Sequence, residues 1–179
     1  MSPPPAGFRV PLNLNSSFPP HEQALDPPCK DGEGNAVYFG SALFLTAVIP
    51  CKITPNENRP CSVPYGGKEL KHRGRFDLLP FTQNMELVPT TNGRIPPGRM
   101  AVEGGYEGSE RQYTLYHGVA KHEHGGTVVL VPGKVGKHLG TGGCIYTFEN
   151  VEYFAENYDV LCWKESSLFV ELRPATFQL

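Results

Sequence analysis

No apolar run in these 179 residues approaches the roughly 20 that a membrane-spanning helix needs. The opening Met1-Ser2-Pro3-Pro4-Pro5 has neither a charged n-region nor an apolar h-region. A soluble chain is expected, cytoplasmic or secreted by an unconventional route. An excess of one charge is also missing: 16 Lys and Arg stand against 18 Asp and Glu, a formal net charge of −2. Nothing chain-wide would hold nucleic acid or an anionic bilayer, so neither nucleic-acid binding nor membrane insertion is expected. The five cysteines, Cys29, Cys51, Cys61, Cys144 and Cys162, are odd in number and form no CxxC pair. That argues against a disulfide framework and a zinc knuckle, leaving reduced, buried thiols. Long windows free of Gly and Pro are scarce as well, because 20 Gly and 18 Pro punctuate the chain. Helix is expected to be minor, with Val151 to Lys164 the one stretch where it fits.

What the chain does have is a copy of itself. Val10-Pro11, Pro19-Pro20 and Ala24-Leu25-Asp26 are echoed by Val88-Pro89, Pro96-Pro97 and Ala101-Val102-Glu103, at offsets of 78 (88 − 10) and 77 (96 − 19, 101 − 24). Val37-Tyr38-Phe39-Gly40 returns as Leu115-Tyr116-His117-Gly118. Val48-Ile49-Pro50-Cys51-Lys52 returns as Leu130-Val131-Pro132-Gly133-Lys134, by which point the offset has grown to 82 (130 − 48). Cys61, Tyr65 and Glu69 match Cys144, Phe148 and Glu152, and Phe76-Asp77-Leu78 matches Tyr158-Asp159-Val160.

Within each unit the residues read as short strands bounded by Gly or Pro: 36–41 and 42–49 in the first, 112–120 and 127–131 in the second. Cys61 to Tyr65, Cys144 to Phe148 and the tail Leu168 to Leu172 read likewise. The expectation is an all-β fold in which two tandem pseudo-symmetric repeats of short antiparallel strands pack as one compact β-sandwich-like domain. The organisation expected is a Pro-rich arm over 1–7, one repeat over 8–85 and a second over 86–179 ending in the C-terminal strand.

Ala101-Val102-Glu103-Gly104-Gly105-Tyr106, Leu115 to His122 and Val131-Pro132-Gly133-Lys134-Val135 resemble successive signatures of the DM-nine repeat. Val63 to Glu69 and Tyr158 to Leu161 resemble its later ones, so the likeness covers nearly the whole chain. The repeat occurs in mannose-binding lectins, in natterin-like proteins and in proteins labelled farnesoic-acid-methyltransferase-like. The resemblance implies tandem repeats packed together, often as a homodimer, binding mannose or mannose-containing glycans without a cofactor. It also implies a site made by the Lys of the Val-Pro-Gly-Lys turn and an acidic residue from the turn before the Leu-Tyr strand. These carry over to Lys52 and Lys134, with Cys51 replacing the Gly in the first repeat, and to Glu33 and Glu110 as the carboxylates.

The chemistry suits a sugar. Each hydroxyl donates and accepts, and a carboxylate beside an ammonium satisfies both at once with charge-assisted bonds. Tyr38, Tyr65, Tyr116 and Tyr146 are candidates to pack on a sugar's C–H face, or else core residues. One shallow site of this kind binds a monosaccharide at about millimolar strength, near −4 kcal/mol. Duplication and dimerisation would then supply avidity.

Other chemistries fit less well. His117, His122, Glu123 and His124 are suitable metal-ligand types but sit in and beside a Gly-rich insertion without fixed ligand spacing, where a solvated loop is the plainer reading, and no metal is expected. No cysteine lies in a nucleophile signature. Gly104-Gly105 and Gly142-Gly143 precede strand-like sequence rather than opening a helix, which argues against a methyltransferase and against an enzyme generally. A non-sugar interaction scaffold, or a partner of a pore-forming protein, is the alternative function.

Overall fold

A computed structural model describes residues 4–165. The strand expected at Leu168 to Leu172 and the first three residues of the Pro-rich arm lie outside the described residues. The first half contributes β1 (Val10–Leu12), a short helix α1 (His21–Ala24), β2 (Cys29–Lys30), β3 (Ala36–Leu43), β4 (Val48–Ile53), β5 (Cys61–Tyr65), β6 (Lys68–Lys71) and β7 (Phe76–Leu79). The second contributes β8 (Met85–Thr91), β9 (Glu103–Glu107), a 3-10 turn (Ser109–Arg111), β10 (Tyr113–His124), β11 (Thr127–Gly136), β12 (Gly143–Phe148), β13 (Val151–Ala155) and β14 (Asn157–Trp163). The fold is all-β. Among the described residues no helix is long and apolar enough to cross a membrane. The segment that could have been helical, Val151 to Lys164, is instead β13 and β14. Val151, Tyr153, Phe154, Val160 and Trp163 are strand-favouring residues, and neighbouring ladders on both sides recruit them. The strand expected over 42–49 is also revised: β3 runs on to Leu43, and a turn at 44–47 delays β4 until Val48.

The duplication is visible in the pairing. Strands lie in the order β1-β7-β3-β4-β5-β6 in the first half, and β8-β14-β10-β11-β12-β13 repeats that order in the second. Register repeats too: Gly40 faces Cys51 and Leu78, and Gly118 faces Gly133 and Val160. The halves meet at the Val151–Lys68 pair between β13 and β6. On the other side β9, already paired with β10, bridges to β4 through Val48 and Tyr106. Strands β4, β5, β6, β13, β12, β11, β10 and β9 thereby close an antiparallel barrel of eight strands.

The packing follows the same logic. One buried cluster belongs mainly to the first repeat (Tyr38, Ile53, Val63, Leu78) and one to the second (Tyr146, Val135, Tyr158, Val160). A third, with Phe39, Leu79, Val102, Leu161 and Trp163, draws on both, so neither repeat buries its apolar residues without the other. The described part of the N-terminal arm joins this packing. Pro5 O accepts hydrogen bonds from Glu103 N (3.1 Å) and Trp163 Nε1 (3.4 Å). Arg9 then reaches inward, donating to Ala6 O (2.7 Å), Ser41 Oγ (2.9 Å), Glu103 O (2.8 Å) and, at 3.0 Å, to His117 Nε2.

Besides the β6–β13 junction, two pseudo-equivalent seams join the repeats, and they differ. In the β9–β4 seam, Gly105 has φ +149° and so little room that a Cβ would sit 1.9 Å from Val48 O. Only glycine permits this approach. In the other seam β2 pairs with β3 and lies against β11, but among the described residues no ladder joins β2 to β11. By register Cys29 faces Val37 as Gly105 faces Leu115, so Pro28 and Cys29 stand where the second repeat has Gly104 and Gly105, with Pro27 just before them. Two prolines bring side-chain bulk and no N–H donor, so β2 is short and its seam stays unzipped.

Candidate functional site

The unzipped seam holds a cleft of about 500 Å³. Its walls come from the turn after β2 (Asp31, Glu33), from β4 (Lys52), from β6 (Glu69, Lys71) and from β11 and the β12–β13 turn (Phe148, Glu149). These positions are far apart in sequence and are assembled by register. Lys52 faces Ser62 across β4 and β5, and Ser62 faces Lys71 across β5 and β6. The three side chains therefore share one face, with Glu69 two residues before Lys71 and pointing the same way.

Lys52 is almost enclosed. Its Nζ donates to Thr147 O at 2.8 Å and to Glu69 Oε2 at 3.5 Å, leaving one of three N–H bonds for a further acceptor. Burial pulls its pKa below the ordinary lysine value, and Glu69 pulls it back up. For Glu69, burial alone would raise the carboxyl pKa. Lys52, then Ser62 and Lys71, overcome that and hold it below the usual carboxylate range. Glu69 Oε2 also accepts from Asn150 N at 3.3 Å, and Oε1 lies 3.1 Å from Lys71 Nζ. Lys71 donates in addition to Ser62 Oγ (2.8 Å) and pairs with Glu57. Burial lowers the Lys71 pKa, but Glu57 and Glu69 outweigh it and leave a net rise.

The two acidic residues of the β2–β3 turn do different things. Asp31 builds the turn: its carboxylate accepts from the main-chain N–H of Glu33 (2.9 Å) and Asn35 (2.8 Å) and from the Asn35 amide (2.9 Å). Glu33 is exposed and lines the cleft, its carboxylate accepting a long 3.4 Å bond from Asn35 Nδ2. Opposite, His124 lies 3.7 Å from Glu149, and Phe148 is stacked at 4.2 Å on His122, which shares a 3.0 Å hydrogen bond with Tyr146 Oη. In all, two ammonium groups face five carboxylates, a balance hostile to anions and suited to a neutral polyol or a cation. Among the described residues no group of three or more His, Cys, Asp or Glu is arranged to hold a metal ion.

The structure brings Lys52 and Glu33 to one cleft and puts Lys134 and Glu110 elsewhere. Lys134 is buried beside the zipped β9–β4 seam, 3.6 Å from Glu107, whose other oxygen meets His138 Nε2 at 2.5 Å. His138 in turn stacks on Tyr113 at 4.2 Å. Glu110 stands exposed on the 3-10 turn, three residues beyond Glu107. The repeat-two equivalents of Glu69 and Lys71 are Glu152 and Phe154 (offset 83, from 145 − 62), so the second acid–base cluster is lost as well. Of the four tyrosines singled out, Tyr38 and Tyr146 are buried, Tyr116 is half-buried and Tyr65 is exposed. The metal-type cluster divides, because His117 is buried against Arg9 while His122 and His124 flank Phe148. Sequence reading missed Glu69, Lys71 and Phe148. Their only advance signal was the Glu69–Glu152 match and the alternation within β5 and β12.

The described residues form a closed, two-repeat, pseudo-symmetric β-barrel with a polar cleft at the open seam between repeats. The family model of the DM9 repeat matches residues 31–129, more than half of the chain, and the protein belongs to the DM9 repeat family. That family is associated with carbohydrate binding. No curated protein matches the chain.

Proposed function

We propose that this protein is a non-catalytic lectin that takes a mannose-type sugar in the open seam cleft. The observation that carries the reading is the nearly enclosed Lys52, with donor capacity remaining, in one cleft with Glu33 and the Glu69–Lys71–Glu57 array. Adjacent hydroxyls of a hexose would accept from an ammonium and donate to a carboxylate in one place. Neither Glu69 nor Cys29 is set up as a general acid or a thiolate nucleophile. A glycosidase needs one carboxyl kept protonated by a raised pKa, whereas Glu69 is held in the opposite direction. Burial pushes Cys29 to about 12, far from a reactive thiolate. One open cleft per chain gives millimolar strength at best, so avidity on a glycan surface would come from a homodimer presenting two clefts.

A glycan array and titration calorimetry with D-mannose test the reading. Wild type and Lys134→Ala should bind alike, while Glu33→Gln and Lys52→Ala should weaken binding at least about tenfold, 1.4 kcal/mol. Circular dichroism checks folding in each variant. Wild type ignoring every glycan at multivalent density would sink the lectin reading and turn the search to protein partners.

A further inference from the structure

We propose, building on the lectin reading, that the cleft is one end of a longer groove and that the binding unit is a linear run of two or three linked neutral sugars. The Lys52 cleft does not stop at Asp31. A second concavity of about 550 Å³ continues along the same seam, sharing Asp31, Gly32, Val129 and Leu130 with the first. Each volume alone falls in the range of about 300–1,000 Å³ that encloses a small-molecule ligand. Together they form an elongated trough bounded by β2 on one side and β11 on the other.

The two ends differ in chemistry. The Lys52 end presents charged groups that fix hydroxyls. The far end is walled by Pro27 and Pro28 against Val128 and Leu130, which remain 58% and 37% exposed although they are large apolar side chains on a strand. Pro27, Pro28, Val128 and Leu130 supply apolar surface for the C–H faces of a pyranose ring, and Lys30, Asp31 and Thr127 in the same concavity supply partners for its hydroxyls. Other occupants fit worse. A peptide added as a β-strand would find main-chain donors on β11 alone, because Pro27 and Pro28 offer none on the opposite wall. An anionic polymer would meet the carboxylates of the first cleft. The same two prolines that keep β2 from zipping onto β11 therefore make the trough and line it.

The test is calorimetry in free solution with D-mannose, its linear α-linked disaccharide and its trisaccharide, on wild type and on Val128→Glu. Wild type should bind the trisaccharide at least about tenfold more tightly than mannose. That exceeds the statistical gain from three equivalent sugar units. Val128→Glu should bring the trisaccharide down to the monosaccharide's level and leave mannose affinity unchanged, because Val128 lies outside the Lys52 cleft. Equal affinity for mannose and trisaccharide in wild type would overturn the extended groove while leaving the lectin reading intact. Mannose and trisaccharide binding both surviving Val128→Glu at wild-type strength would overturn it too, by showing the far end untouched. No binding of any of the three sugars would overturn the lectin reading, and the groove proposal with it.

Discussion

The two seams of this barrel start from the same design and end in opposite states. In the second repeat Gly104-Gly105 lets β9 lie directly on β4; in the first, Pro27-Pro28 keeps β2 off β11. The closed seam is also bolted from within by Arg9 and His117, where the first repeat has an apolar Phe39 at the position of His117. A duplicated fold needs each unit to complete its neighbour, but it needs only one strong closure. The second joint is then free to open into a cleft, and the change from Gly104-Gly105 to Pro28-Cys29, with Pro27 before it, accompanies that opening.

The sharpest way to break the comparison is to spoil the closed seam. Gly105→Val places a branched side chain where a Cβ already meets Val48 O at 1.9 Å, in a backbone conformation that L residues avoid. It should cost about 3 kcal/mol or more in urea denaturation. A variant as stable as wild type would show that the β9–β4 bridge does not hold the barrel shut.

A smaller effect distinguishes His117 from Phe39. A guanidinium only donates, so His117 Nε2 accepts from Arg9, and the ring is neutral with its proton on Nδ1. Burial first, then the Arg9 charge, lower the His117 pKa well below its usual value, and burial lowers Arg9 itself to about 10. The unfolded chain therefore binds a proton that the folded chain refuses. Stability is complete above about pH 6.5 and falls by up to about 1.4 kcal/mol per pH unit below it. Denaturation midpoints between pH 7.5 and 5 should show this slope, and a folded Arg9→Leu/His117→Phe variant, which copies the first repeat's apolar choice, should lack it. Persistence of the slope in that variant would assign it to another group.

The smallest effect lies in matching hairpins. Gly66 and Gly67 turn β5 into β6 with both φ positive, and the equivalent turn from β12 to β13 does the same with Glu149 (φ +48°) and Asn150 (φ +68°). A glutamate there is strained, and it borders the cleft. Glu149→Gly should raise stability by about 0.5–1 kcal/mol. A measured loss of stability would mean that the His124–Glu149 pair outweighs the strain.

The sequence carried the repeat architecture clearly, because β-pairing copies sequence order: β5 and β12 sit where Cys61 to Tyr65 and Cys144 to Phe148 predicted. Lys52 is singled out through the resemblance to the DM-nine repeat, and the structure puts it in the seam cleft. Its acid–base neighbours were not legible, since Glu69 and Lys71 reach Lys52 only through the register of β4, β5 and β6. Likewise Glu107 meets Lys134 through the placement of β9, which no local pattern encodes. The segment from Val151 to Lys164 misleads for a related reason. Freedom from Gly and Pro permits a helix without favouring one, and its aromatic and branched residues decided for strand.

The crossing of strands between repeats also sets a clock. The barrel partner of β4 is β9, which begins 50 residues after β4 ends (103 − 53). At a synthesis rate of about 5–20 residues per second, a nascent first repeat waits roughly 3–10 s for the strand that closes it. During that wait the Val48 end of β4 lacks its partner, a short stretch of the kind of edge that joins other chains, while Lys52 and Ile53 are already paired with β5. Closure therefore turns on a strand that reaches β4 only at its Val48 end, leaving Lys52 already seated against β5 when β9 arrives.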